Sequence, residues 1–130
     1  MAKKTWIEKM NLEMRSEVKL LEKPFGGFPV GAKLLIPTPS MVKEYIFSIP
    51  RGKSRTTKEM RADLASRNGA DTTCPLCAGI FLRIVAEAAH ESGEEVPVWR
   101  VIDAKSPTKK RLCFDVSELD ARRAAEGLPA

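Results

Sequence analysis

Helix start and stop signals recur at short intervals between residues 38 and 93, and they constrain the fold more than any other feature of the chain. Thr38 is placed to cap a helix whose first position is Pro39. Met41, Val42, Tyr45, Ile46 and Ile49 follow on one helical face, and Pro50-Arg51-Gly52-Lys53 stops the run. Thr56 and Glu59 form a capping-box pair for a second helix through Met60 and Leu64, closed by Asn68-Gly69. A third helix starts near Pro75, presents Ile80, Phe81, Ile84, Val85 and Ala88 on one face, and ends around Ser92-Gly93. Two β-branched runs follow, Val96 to Ile102 and Arg111 to Val116, with the turn-rich Asp103-Ala104-Lys105-Ser106-Pro107 between them. That pattern predicts a hairpin. Ser117 is the expected cap of an Ala-rich last helix through Ala125, and Gly127 its stop.

The predicted fold class is therefore α+β: a winged helix-turn-helix of three helices, a two-stranded wing and a C-terminal helix. In such a fold the third helix is the one offered to a DNA groove. Residues 1–33 read as a short N-terminal extension and residues 34–130 as the main domain. In the extension Trp6, Ile7, Met10 and Met14 have helical spacing, and Lys23 to Pro29 reads as loop. Ala32 to Ile36 is a candidate short strand ended by Pro37. A chain of 130 residues buries enough surface to fold without disulfides or metal.

The formal net charge of +5 is unevenly placed. Residues 51–67 carry six basic and two acidic side chains, and residues 99–111 five basic and one acidic. Residues 74–95 set Arg83 against Glu87, Glu91, Glu94 and Glu95. Two basic segments around a more acidic helix form a polyanion footprint, for which nucleic acid is the commonest partner; a solvated Lys/Arg-rich surface gives the same composition. The longest uncharged stretch, Thr72 to Leu82, is 11 residues, far short of the roughly 20 that a spanning helix needs. The basic start Met1-Ala2-Lys3-Lys4 leads into no apolar signal core, so the expected compartment is cytoplasmic, nucleoid-associated when DNA-bound.

Three segments carry a resemblance. They are Ile49-Pro50-Arg51-Gly52-Lys53-Ser54-Arg55-Thr56-Thr57, Pro97-Val98-Trp99-Arg100-Val101-Ile102 and Arg122-Arg123-Ala124-Ala125-Glu126-Gly127-Leu128. In order and spacing the set resembles the C-terminal DNA-binding domain of the alkylguanine-DNA alkyltransferases (methylated-DNA–protein-cysteine methyltransferases) and their alkyltransferase-like relatives. It covers about residues 34–128. The resemblance implies double-stranded DNA as partner, a DNA repair or damage-sensing context, and a flipped, modified base as ligand. It implies a base-pocket remnant at Pro97, Val98, Trp99 and Arg100. Phosphate contacts would come from Arg51, Lys53, Arg55, Thr57, Lys105 and Lys109, with Arg83 on the helix that enters the groove.

The departures from the family pattern bear on chemistry. The acceptor cysteine falls on Val98, which has no nucleophile, so alkyl transfer there is chemically impossible. The neighbouring histidine is Trp99, whose indole N–H only donates. The family's tyrosine after the threonine is Thr57. The expectation is a protein that binds DNA without transferring alkyl groups, as the alkyltransferase-like proteins do. Trp99 is either a stacking wall for an extruded base or a core residue behind the hairpin.

Cys74-Pro75-Leu76-Cys77 supports a rival reading, a thiol-redox pair at a helix start, although no strand of a βαβ unit precedes it. Zinc would need Cys113 and His90 to complete four ligands, and no phosphate-binding glycine loop is present. A third reading is a degenerate winged helix serving as a protein-interaction module. The sequence suggests a monomer with no cofactor, no metal and no membrane contact.

Overall fold

The structure, a computed structural model, describes residues 5–130. The Met1-Ala2-Lys3-Lys4 run lies outside the described residues. The element order is α1 (Trp6–Met10), β1 (Glu17–Leu20), β2 (Lys33–Ile36), α2 (Pro39–Ser48), α3 (Thr57–Arg67), β3 (Thr72–Thr73), α4 (Pro75–Ser92), two 3-10 turns (Val98–Arg100 and Pro107–Arg111) and α5 (Ser117–Ala125). The protein is thus α+β.

The caps form where local chemistry puts them. The Thr38 hydroxyl accepts from the Met41 N–H. Thr56 and Glu59 close a reciprocal capping box on α3. Gly93 ends α4 in the left-handed region at φ +77°, a conformation that favours glycine. Only α5 differs: Val116 occupies the cap position, and no side chain caps the helix.

α4 is the central element, packed against α1, α2, α3 and the second 3-10 turn. Its inward arc is Ala78, Phe81, Leu82, Val85, Ala86 and Ala88. Ile80, expected on that face, is exposed instead, and Leu82 is inside. Val42 and Ile46 of α2 and Met60 of α3 are completely buried against this core. Each such side chain contributes about 1.5–3 kcal/mol relative to exposure. Tyr45 joins α2 to α3: its hydroxyl donates to Asp63 at 2.5 Å, and the Arg67 guanidinium lies over its ring. Burial, reinforced by the Asp63 carboxylate, holds the phenol far above its ordinary pKa.

The sheet has the order β1-β2-β3. β1 and β2 are antiparallel, with Val18 opposite Leu35, and β2 and β3 are parallel, with Leu35 opposite Thr73. β3, parallel to β2, is a strand directly before Cys74, where none was expected. It positions α4, because the Thr73 hydroxyl donates to the Arg61 carbonyl and the Cys74 N–H to the Leu35 carbonyl. The N-terminal segment joins the same body through β1 and through α1, whose Trp6 and Ile7 N–H groups face the Glu91 carboxylate on α4.

The two-stranded wing is not formed. No residue of the expected strands, Val96 to Ile102 and Arg111 to Val116, belongs to a strand; Val98–Arg100 and Pro107–Arg111 wind as 3-10 turns instead. The physical reason is where the backbone groups find partners. The Arg100 carbonyl accepts from the Arg55 N–H and the Ser54 hydroxyl, and the Trp99 carbonyl from Arg123. The Cys113 N–H donates to the buried Glu87 carboxylate. With those groups engaged, no ladder between the two segments forms. Coiling instead of extending buries Val96, Val98, Trp99, Val101 and Ile102 together.

Candidate functional site

The three segments that carry the resemblance, far apart in sequence, meet at one carboxylate. Glu126, at the end of α5, has a side chain only 5% exposed. Its Oε1 accepts from Arg100 Nε at 3.0 Å and from the Gly52 N–H at 3.0 Å. Its Oε2 accepts from Trp99 Nε1 at 2.7 Å and from Arg100 Nη2 at 3.1 Å. The remaining Arg100 nitrogen donates to the Ile49 carbonyl. Gly52 sits at φ +81°, and its amide is turned onto Glu126. The Arg100 hydrogen bond is the chief reason the Glu126 carboxyl is held down at about 2; burial opposes it, and the Gly52 and Trp99 donors add to it.

Beside this hub lies Arg123, only 2% exposed. Its guanidinium donates to the Trp99 carbonyl at 2.6 Å, the Ser54 hydroxyl at 3.2 Å and the Pro129 carbonyl at 2.7 Å. No carboxylate pairs with it among the described residues. Fixed carbonyl dipoles therefore replace the water that a buried cation loses. Arg100 and Arg123 together fasten the 3-10 turn to the α2–α3 connection.

Trp99 and Val98 are buried, at 8% and 3% exposure. Trp99 is a core residue with its one donor spent on Glu126, and the Arg122 guanidinium stacks over its ring. These residues border a cleft of about 260 Å³ whose rim carries Glu94, Glu95 and Glu118. Acidic groups at that rim repel phosphate. Arg122 bridges Glu95 and Glu118 across it.

A second cleft, about 300 Å³, lies between the starts of α3 and α4 and the second 3-10 turn. Pro75, Leu76, Ala78, Gly79 and Pro107 give it an apolar lining, and Thr57, Arg61, Thr108 and Arg111 its polar groups. No acidic residue lines it. Arg61 comes from the first basic segment and Arg111 from the second, so the fold brings the two segments to one cavity. Thr108 is 4% exposed.

The other expected contact residues divide by environment. Arg51, Lys53 and Lys105 are exposed. Arg55 is half-buried, and its guanidinium donates to the Ser54 carbonyl. Lys109 is paired with Asp120 at 2.6 Å. Arg83 does not point outward: it pairs with Glu87, donates to the Cys113 sulfur at 3.3 Å and lies over the Trp6 ring. α1 covers that side of α4.

The cysteines are free thiols. Cys74 caps α4, its sulfur accepting from the Cys77 N–H at 3.4 Å. Burial, with the hydrogen bond to Cys74 second, pushes the Cys77 thiol up to about 11. Among the described residues no group of three or more His, Cys, Asp or Glu side chains could hold a metal ion, and no helix is long and apolar enough to cross a membrane.

Sequence reasoning singled out Pro97–Arg100 and Glu126 as motif residues but missed what joins them, the carboxylate shared by Arg100, Trp99 and Gly52. It missed Arg123 as a buried cation altogether. The one available signal was an Arg-Arg pair in a helix that otherwise needed only one polar face. A scan against protein-family models, a search of curated proteins and a search of solved structures each return no match.

Proposed function

We propose that this chain binds double-stranded DNA in the manner of an alkyltransferase-like protein, through the cleft between α3, α4 and the second 3-10 turn, and transfers no alkyl group. The observation that carries this reading is the meeting of two basic segments at that cleft, with Arg61 and Arg111 among its lining residues and no acidic group there. Cationic side chains follow the phosphates, and an apolar floor edged by the Thr57 and Thr108 side chains suits an unstacked base. The base site is thereby moved from Pro97, Val98, Trp99 and Arg100, which are packed or paired, to Thr57, Leu76, Gly79 and Thr108.

In this reading α2, α3 and α4 are the three-helix core of a helix-turn-helix, and the loop from Asp103 to Arg111 stands where a wing would. The Glu126 hub is its frame. It fixes the α2–α3 turn, with Arg51 and Lys53 exposed on it, against the 3-10 turn. Chemistry at Val98 is closed in two ways: the side chain is aliphatic, and its neighbour Trp99 donates to Glu126 and offers no base.

The test is a paired substitution, Arg61→Ala with Arg111→Ala. DNA affinity should fall roughly tenfold or more at moderate salt, the effect of losing two phosphate contacts. Unchanged affinity in a folded double variant would move the DNA surface elsewhere.

A further inference from the structure

β1 is the outer strand of the sheet, and all four of its residues are exposed. Its pairing with β2 fixes which backbone groups point out. Leu21 exchanges N–H and C=O with the β2 side, through Ala32 and Gly31. In an antiparallel ladder that role alternates. Lys19 and Glu17 therefore face β2 with their backbone groups, while Val18 and Leu20 turn theirs outward. Among the described residues nothing accepts from or donates to that outer edge.

The edge is self-complementary. An antiparallel copy placed with its two-fold axis at Val18 sets Val18 opposite Val18, an outward-facing pair that exchanges both hydrogen bonds. It then sets Glu17 opposite Lys19 of the copy, and Lys19 opposite its Glu17. Those are non-hydrogen-bonded positions, where side chains come closest. Moving the axis by one residue fails on charge, because it brings Glu17 onto Glu17 or Lys19 onto Lys19. It also fails on geometry, since the central residue would then face inward. The surroundings are apolar: Leu12, Met14, Val18, Leu20, Phe25 and Val30 are all exposed large hydrophobic residues of this N-terminal arm.

We propose that the outer edge of β1 pairs with a second copy of this chain, antiparallel about Val18, making one continuous six-stranded sheet from two three-stranded ones. The surface is separate from the cleft read as the DNA site, so it stands or falls independently of that reading. An exposed edge strand is a ready template for pairing, and a lysine at its centre normally discourages it. Here the lysine, which already meets Glu17 of its own strand at 3.5 Å, gains the copy's Glu17 opposite it as a second acid.

The experiment is sedimentation velocity of the full chain over a concentration series, with three variants checked for fold by circular dichroism. The unaltered protein should show a monomer–dimer equilibrium. Lys19→Glu places four carboxylates together and should weaken dimerisation about tenfold or more. Combining Glu17→Lys with Lys19→Glu reverses both signs and should restore it. Val18→Pro removes an outward N–H that the chain's own sheet does not use, so it should leave the monomer folded and abolish the dimer. A protein monomeric throughout the series, or a dimer indifferent to Lys19→Glu and Val18→Pro, would overturn the proposal.

Discussion

The Glu126 carboxylate holds the Arg100 guanidinium through both Nε and Nη2, at 3.0 and 3.1 Å, while its other contacts reach Trp99 and Gly52. One acid at the end of α5 thereby ties the first 3-10 turn to the α2–α3 turn. Replacing it by glutamine keeps the shape and removes the charge. Arg100 then stays largely buried without its counter-ion, a loss of about 3 kcal/mol or more. Urea unfolding of Glu126→Gln checks this.

The same carboxyl gives a pH signature. Its folded pKa of about 2 lies below the ordinary carboxylate value near ~4.3. Its contribution is therefore complete above the unfolded value and drains away as pH falls toward 2. The stability gap between the unaltered protein and Glu126→Gln should narrow over that acid window and stay constant from pH 6 to 8. Denaturant midpoints at each pH measure it.

Arg123 should be irreplaceable by lysine. A guanidinium reaches Trp99, Ser54 and Pro129 at once, and an ammonium without that planar fork does not. Arg123→Lys should cost roughly 1–3 kcal/mol, the penalty of buried acceptors left unpaired, and Arg123→Ala more. Thermal melts rank the two variants.

These cases show why some of the molecule is legible in the sequence and some is not. Helix ends are local: Thr38, Thr56 with Glu59, and Gly93 act on amides within a turn or two, so they can be read directly. The strand β3 is two residues long and exists only because Leu34 and Leu35 lie beside it. The Val96 to Ile102 run has strand composition, yet its amides bond within their own turn and its Trp99 and Arg100 carbonyls accept from Arg123, Ser54 and Arg55. Nothing in a local window reports them. The basic segments were legible as charge, but the cleft that joins Arg61 to Arg111 is a product of tertiary packing.

Thiol reactivity should be ordered. Cys113 is exposed, whereas the Cys77 thiol is pushed up to about 11 and is almost wholly protonated at neutral pH. Alkylation at pH 7.5 followed by peptide mass spectrometry should label Cys113 well before Cys77. Raising the pH toward 11 should bring Cys77 into reaction.

A thiol introduced at Val98 should not make the protein an alkyl acceptor. In Val98→Cys the new sulfur replaces a side chain that is buried in the core, and Trp99 supplies no base. Incubation with DNA carrying a methylated guanine should leave the variant's peptides unmethylated. Stoichiometric methylation of the introduced thiol would show that this buried position opens to DNA.

The proposed binding of DNA at the cationic cleft is measured most directly by a titration against duplexes with and without an alkylated guanine, at two salt concentrations. The expected result is binding that weakens with salt, log K falling by roughly 0.9 per decade of salt for each phosphate neutralised, with tighter binding to the alkylated duplex. Binding that ignores salt, or none at low salt, would contradict it.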